Sequence, residues 1–244
     1  MDPSTPATVP IRRVEAGRGL SWWTEAWPLF TRQPGMWMVL GIVTLVAVTV
    51  LGMLPLLGGL LLAFVLPVLM GGWALAARKV QQGGELALDD LFAGFRAPLL
   101  QPLATMGGLL LAAGLGLGVL ATALGVGAVA SVMARGAHFG MAGMMAAMST
   151  GAMAVLLLMT LGLLIGMALW FAPALVVLRG LPPGAALRLS FAASLRNALP
   201  MLLWSLVYLV ASVLASLPLG LGWVLLLPCL LLSAYVSYGD VFGA

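Results

Sequence analysis

The chain has 244 residues, 63% of them hydrophobic and 7% charged, with a net charge of +4. Soluble domains carry about a quarter charged residues, so the composition excludes a soluble domain. The 11 Lys and Arg are scattered and form no basic stripe, which excludes a nucleic-acid binder, and the single cysteine, Cys229, excludes an intrachain disulfide or a thiolate metal site.

The charges fall in islands. Residues 33–77, 97–134, 136–178 and 197–239 carry none, and a helix that crosses a bilayer needs about 20 residues. Residues 1–33 form an arm holding Arg12, Arg13, Glu15, Arg18, Glu25 and Arg32. It has no uninterrupted apolar core ahead of a small-residue cleavage site, so the first span is expected to be an uncleaved anchor. In the arm Leu20, Trp23, Trp27 and Phe30 recur at helical spacing, the pattern of an amphipathic stub lying in the headgroup layer. Residues 33–77 suit two spans, near 36–54 and 57–77. They turn at Leu54-Pro55-Leu56-Leu57-Gly58-Gly59 and stop at Arg78-Lys79, and Pro67 is expected to kink the second. A second stub follows, with Leu88, Leu91, Phe92 and Phe95 on one face, Asp89 and Asp90 at its start and Arg96 at its end.

A third span is expected near 99–120. Its Gly108, Ala112 and Gly116 at four-residue spacing let helix backbones approach, within the protein or in a homodimer. Residues 133–150 read as an interfacial helix or a loop. They hold the only histidine, His138, beside Arg135, and several methionines of the run Met133 to Met153; with no Cys and no second His, these read as apolar filler and not as a copper site. A fourth span near 152–177 stops at Arg179. Pro182-Pro183 opens a third stub bearing Leu187, Phe191 and Leu195 and closing at Arg196-Asn197. Spans near 199–217 and 220–238 end the chain, with a turn at Pro218 and a kink expected at Pro228.

The fold class is therefore all-α: a polytopic transmembrane bundle of about six spans in three hairpins, each preceded by a stub. Arg32 and Arg196, Pro55 and Pro218, and Pro67 and Pro228 lie 164, 163 and 161 residues apart, which marks the first and last hairpins as a degenerate repeat. With six spans, ten of the 11 Lys and Arg face the cytoplasm and only Arg135 lies outside; two short spans in 97–134 would give a split of eight to three. Six spans with both termini cytoplasmic fit the positive-inside bias better.

Three arginines, Arg32, Arg96 and Arg196, each end a stub before an ascending helix. They could ring one face as an anionic-lipid or phosphate site, because the guanidinium fork pairs with phosphate; the alternative is that they only fix topology. No span has an ionisable residue in its interior, which argues against proton-coupled transport. There is no His-Glu-x-x-His, no buried carboxylate pair and no Ser-His or Ser-Lys dyad within the spans, so neither an enzyme nor a cofactor is expected. Pro67 and Pro228 could also mark broken helices around a substrate.

Several segments carry a resemblance: Val14 to Gly19 running into Trp22-Trp23, the Leu-Pro-Leu-Leu-Gly turn, Leu91 to Phe95, Ala186 to Asn197, and Tyr235 to Phe242. Together they resemble a family of uncharacterised proteobacterial six-pass inner-membrane proteins. More loosely they are similar to the membrane regions of the YciC type and of some glycerophosphodiester phosphodiesterases. The chain departs from the family pattern at Gly239, where an arginine is expected. The resemblance implies a bacterial inner-membrane location and this topology, and no chemistry. The function expected is that of a structural or accessory envelope protein binding lipids or a membrane partner. The alternative is a small channel or transporter for an uncharged or anionic solute, lined by Tyr208, Ser212 and threonines.

Overall fold

The structure is a computed structural model that describes residues 9–55, 57–134 and 141–243. Among them are helices α1 (Arg18–Arg32), α2 (Pro34–Gly52), α3 (Leu57–Gln81), α4 (Leu88–Leu91), α5 (Leu100–Ala134), α6 (Met141–Leu169), α7 (Ala172–Arg179), α8 (Pro183–Arg196), α9 (Ala198–Ser216) and α10 (Trp223–Phe242), with a 3-10 turn at Ala93–Phe95 and no strand. Six helical segments are long and apolar enough to cross a membrane. Helices are what lipid permits, because no water is there to satisfy an open backbone. The chain is an all-α, multi-pass membrane protein.

Hairpin 1 is α2–α3, hairpin 2 is α5–α6 continued by α7, and hairpin 3 is α9–α10. The boundaries of hairpins 1 and 3 lie close to those expected; hairpin 2 differs. Helix α5 runs on to Ala134 and α6 starts at Met141, so residues 141–150 are the first turns of α6 and not a loop or a separate helix. At about 1.5 Å per residue, the 35-residue α5 is roughly 50 Å long against roughly 28 Å for the 19-residue α2. The fourth span is also broken. Pro173 has no N–H for the Leu169 carbonyl and its ring crowds that oxygen, so α6 ends at Leu169 and α7 begins at Ala172.

The stubs depart from the flat, lipid-facing picture. In α1 the buried face is Gly19, Trp22, Ala26, Leu29 and Phe30, while Leu20 and Trp27 are about half exposed. The expected face was turned by one position, because α1 packs on α9 and α10. Gly19 permits that contact: any Cβ there would strike the Pro200 carbonyl. The second stub is no continuous helix but four residues of α4 and the 3-10 turn, laid on α3 where Gly72 faces the Leu91 carbonyl. The third, α8, buries the small residues Ala186, Ser190, Ala193 and Ser194 against α6 and α7, and leaves Leu195 exposed.

These contacts have a cyclic order. The second stub lies on hairpin 1, the third on hairpin 2, and the first on hairpin 3, which closes the ring. Between spans the order repeats: α3 packs on α5, and α10 on α2. Both contacts sit beside a proline. Pro67 leaves the Ala63 carbonyl without its helical donor, and Gly107 of α5 lies so near that a Cβ would fall 2.7 Å from that oxygen. Pro228 does the same to Val224, and a Cβ on Gly41 of α2 would fall 3.5 Å from that carbonyl and 3.0 Å from the Pro228 ring. Helices α3 and α10 continue through these prolines, so the broken span is the one before Pro173 and neither of those expected. Among the described residues, helix α9 has no comparable packing along α6 or α7.

Candidate functional site

The charged end of the bundle gathers the arm, the stubs and the ends of α3, α7 and α10. Asp240 is its first node. Its Oδ2 accepts from Arg18 Nε at 2.6 Å and from Trp22 Nε1 at 2.9 Å, and Arg18 also reaches both Glu25 oxygens, at 2.6 and 3.0 Å. The Asp240 carboxylate, and after it Glu25, holds the Arg18 guanidinium above its ordinary range, so Arg18 stays charged at any working pH. The charge contact at this end is thus made by Asp240, next to Gly239.

Asn197, between α8 and α9, clips the arm. Its Oδ1 accepts the Val14 N–H at 2.9 Å and its Nδ2 donates to the Arg12 carbonyl at 3.0 Å, while the Arg12 N–H donates to Val241 at 2.8 Å. Gln33, between α1 and α2, makes the same two-bond clip on the loop before α4: Nε2 donates to Gly84 at 2.9 Å and Oε1 accepts from Leu86 at 2.8 Å. Lys79 then pairs with Asp90 at 2.9 Å, as Asp240 pairs with Arg18 with the charges reversed. Arg12 and Gly84, Val14 and Leu86, and Arg18 and Asp90 are each 72 residues apart, and Lys79 and Asp240 are 161 apart, the spacing of Pro67 and Pro228.

The third joint lacks this clip. One hundred residues before Asn197 stands Ala97, which has no amide, and 100 after Asp90 stands Ser190. Ser190 repairs the broken span: its Oγ accepts the Phe171 N–H and donates to the Met167 carbonyl, both at 3.0 Å, and Ser194 donates to the same carbonyl at 3.0 Å. In an unbroken helix that N–H and that carbonyl would bond each other. Arg179, 100 residues after Lys79, turns to Tyr238 Oη at 3.3 Å and the Phe242 carbonyl at 3.0 Å.

The three arginines expected to form a ring have separate surroundings. Arg32 donates to the Val80 carbonyl at 2.9 Å and so caps α3. Arg96 pairs with Asp89 on the exposed second stub. Arg196 lines a groove of about 590 Å³ with Arg13 and Glu15, between the arm and the α8–α9 junction. Of the small-residue stripe, Gly108 faces the Phe64 ring at van der Waals distance, while Ala112 and Gly116 are exposed, Gly116 on an open groove between α5 and α6. The tight helix approach is one residue away, at Gly107.

Tyr208 and Ser212 are taken up by neighbours within the bundle. Tyr208 stacks on Trp204, which stacks on Trp23 and meets Trp170 edge-on, and Ser212 donates to Leu209 of its own helix. Trp204 Nε1 donates to Ser233 at 2.8 Å and Trp73 Nε1 to Thr44 at 3.1 Å, so these buried hydroxyls serve tryptophans. Where α3, α7 and α10 meet, residues that include Trp73, Pro173, Ala234 and Tyr235 line a partly open space of about 30 Å³, room for one or two waters. Arg135 and His138 lie outside the described residues, as do the side chains of Met133, Met141, Met144, Met145 and Met148.

Sequence reading missed the two amides, Asp240 and the two serines. The signal was present as the 72- and 100-residue spacings. They relate unlike residues, and only the bonded atoms reveal them as equivalent. No family model matches this chain, and no curated protein or solved structure matches it either.

Proposed function

We propose that this chain is a non-enzymatic accessory protein of the bacterial inner membrane, with its charged end in the cytoplasm, that holds lipid or a membrane partner and passes no solute. The observation that carries this reading is the tight junction of the hairpins, which we read as a closed axis: where α3, α7 and α10 meet, the space left is about 30 Å³, far below the several hundred Å³ of small-molecule sites. Of the polar groups that could have lined a path, Thr44 and Ser233 accept from tryptophans, Ser212 donates to its own helix, and the Tyr208 ring stacks on Trp204. The concentration of Lys and Arg at one end supports the orientation, and the family resemblance points the same way. The test is flux. Liposomes holding the protein should pass glycerol, glycerol phosphate and potassium no faster than empty ones, and saturable flux of any of them would overturn the reading. A reporter fused after Ala134 should prove external, and a cytoplasmic result would overturn the orientation.

A further inference from the structure

We infer that the groove between the arm and the α8–α9 junction binds the phosphodiester of a phospholipid headgroup through Arg13 and Arg196. The inference rests on the orientation and lipid-holding role proposed above, and names the site and the ligand chemistry.

The Asn197 clip builds the groove. Asn197 bonds Arg12 and Val14, the two neighbours of Arg13, and Arg196 is the residue before Asn197. One amide therefore fixes the backbone beside both arginines, and both line the groove it closes. Neither guanidinium has a hydrogen-bond partner among the described residues. Its two counterparts are already used: Arg32 on the Val80 carbonyl and Arg96 on Asp89. Of the three, Arg196 borders a groove, and Arg13 lines the same groove.

Glu15 lines the same groove and is likewise without a partner among the described residues. Two guanidiniums against one carboxylate leave a single excess positive charge, which suits the single negative charge of a phosphodiester, and the arginine fork matches its two free oxygens. The volume of about 590 Å³ lies within the range of small-molecule sites. The rim separates a lipid from a phosphate in water. Leu195 and Leu199, on the two sides of the junction, are 52% and 62% exposed, and Leu202 continues the apolar face up α9. Acyl chains leaving the groove would run along that face.

The test uses the full chain in nanodiscs of phosphatidylethanolamine and phosphatidylglycerol in equal parts, moved to mild detergent and weighed by native mass spectrometry. Wild type should retain phospholipid, and R13Q/R196Q should retain about tenfold less, the loss expected on removing about 1.4 kcal/mol of charge-assisted bonding. R78Q/R188Q, which removes two other exposed arginines, should retain as much as wild type. R13K/R196K keeps the charge without the fork and should fall between. Neither Arg13 nor Arg196 has a side-chain partner among the described residues, so the melting temperature should not move; if it does, the lysine variant carries the decision. A bare wild type, unchanged retention in R13Q/R196Q, or equal loss in both glutamine pairs would overturn the site. Displacement of the lipid by millimolar glycerol 3-phosphate would overturn the lipid as its source. Flux in liposomes with retention still lost only in R13Q/R196Q would sink the closed-axis reading and leave this site standing.

Discussion

Hairpins 1 and 3 are tied to their neighbours at matching places, and hairpin 2 is joined to hairpin 3 in another way. At the first two joints an amide grips an extended segment at two points, an ion pair follows six residues after the first of them, and a glycine covers the carbonyl that a proline frees. At the third the amide is Ala97, the ion-pair position is Ser190, and the polar capacity goes into mending a broken helix. The difference is one of strain against closure. Two joints use their side chains to shut the ring; the third uses them to tolerate Pro173.

The comparison can be broken at the Asp240 node first. Asp240→Ala strands Trp22 Nε1, on a fully buried ring, and one face of Arg18. Hydrogen bonds to charged groups contribute about 1.5–3 kcal/mol each, so this variant should show the largest fall in melting temperature, and Asp240→Asn should recover part of it. Asn197→Ala comes next, at about 2 kcal/mol, because the amide is 1% exposed and its loss leaves two arm groups unpaired. Gln33→Ala, at a half-buried site, should cost about half as much. Ser190→Ala should cost about 1–2 kcal/mol by orphaning the Phe171 N–H, since Ser194 still serves Met167. Adding Pro173→Ala to it should restore much of that loss, because the helix can then close on itself; a further fall would contradict the account of the break. Lys79→Met should cost about 1 kcal/mol or less, since that pair is only part-buried.

Much of the fold was legible because lipid leaves few choices. An uncharged run such as 197–239 with a proline-glycine turn can only be a pair of helices, and α9 and α10 lie close to the expected ranges. The site was less legible. Arg32, Arg96 and Arg196 look alike in sequence, yet one caps a helix, one pairs with a carboxylate and one borders a groove, because those fates depend on what the ring brings near. The face of α1 was misjudged for the same reason: periodicity finds an apolar stripe, and Gly19, whose absent side chain decides which edge is buried, adds nothing to such a pattern.

The central claim is that the arm and first stub close the ring on hairpin 3. Hydrogen exchange at residues 11–16 tests it most directly, with residues 84–87 as the internal reference. The account predicts protected Arg12 and Val14 amides in wild type. Asn197→Ala should release the arm and leave the 84–87 loop protected, and Gln33→Ala should do the reverse. An arm that exchanges at the free-peptide rate in wild type, or both segments released together by either variant, would contradict it.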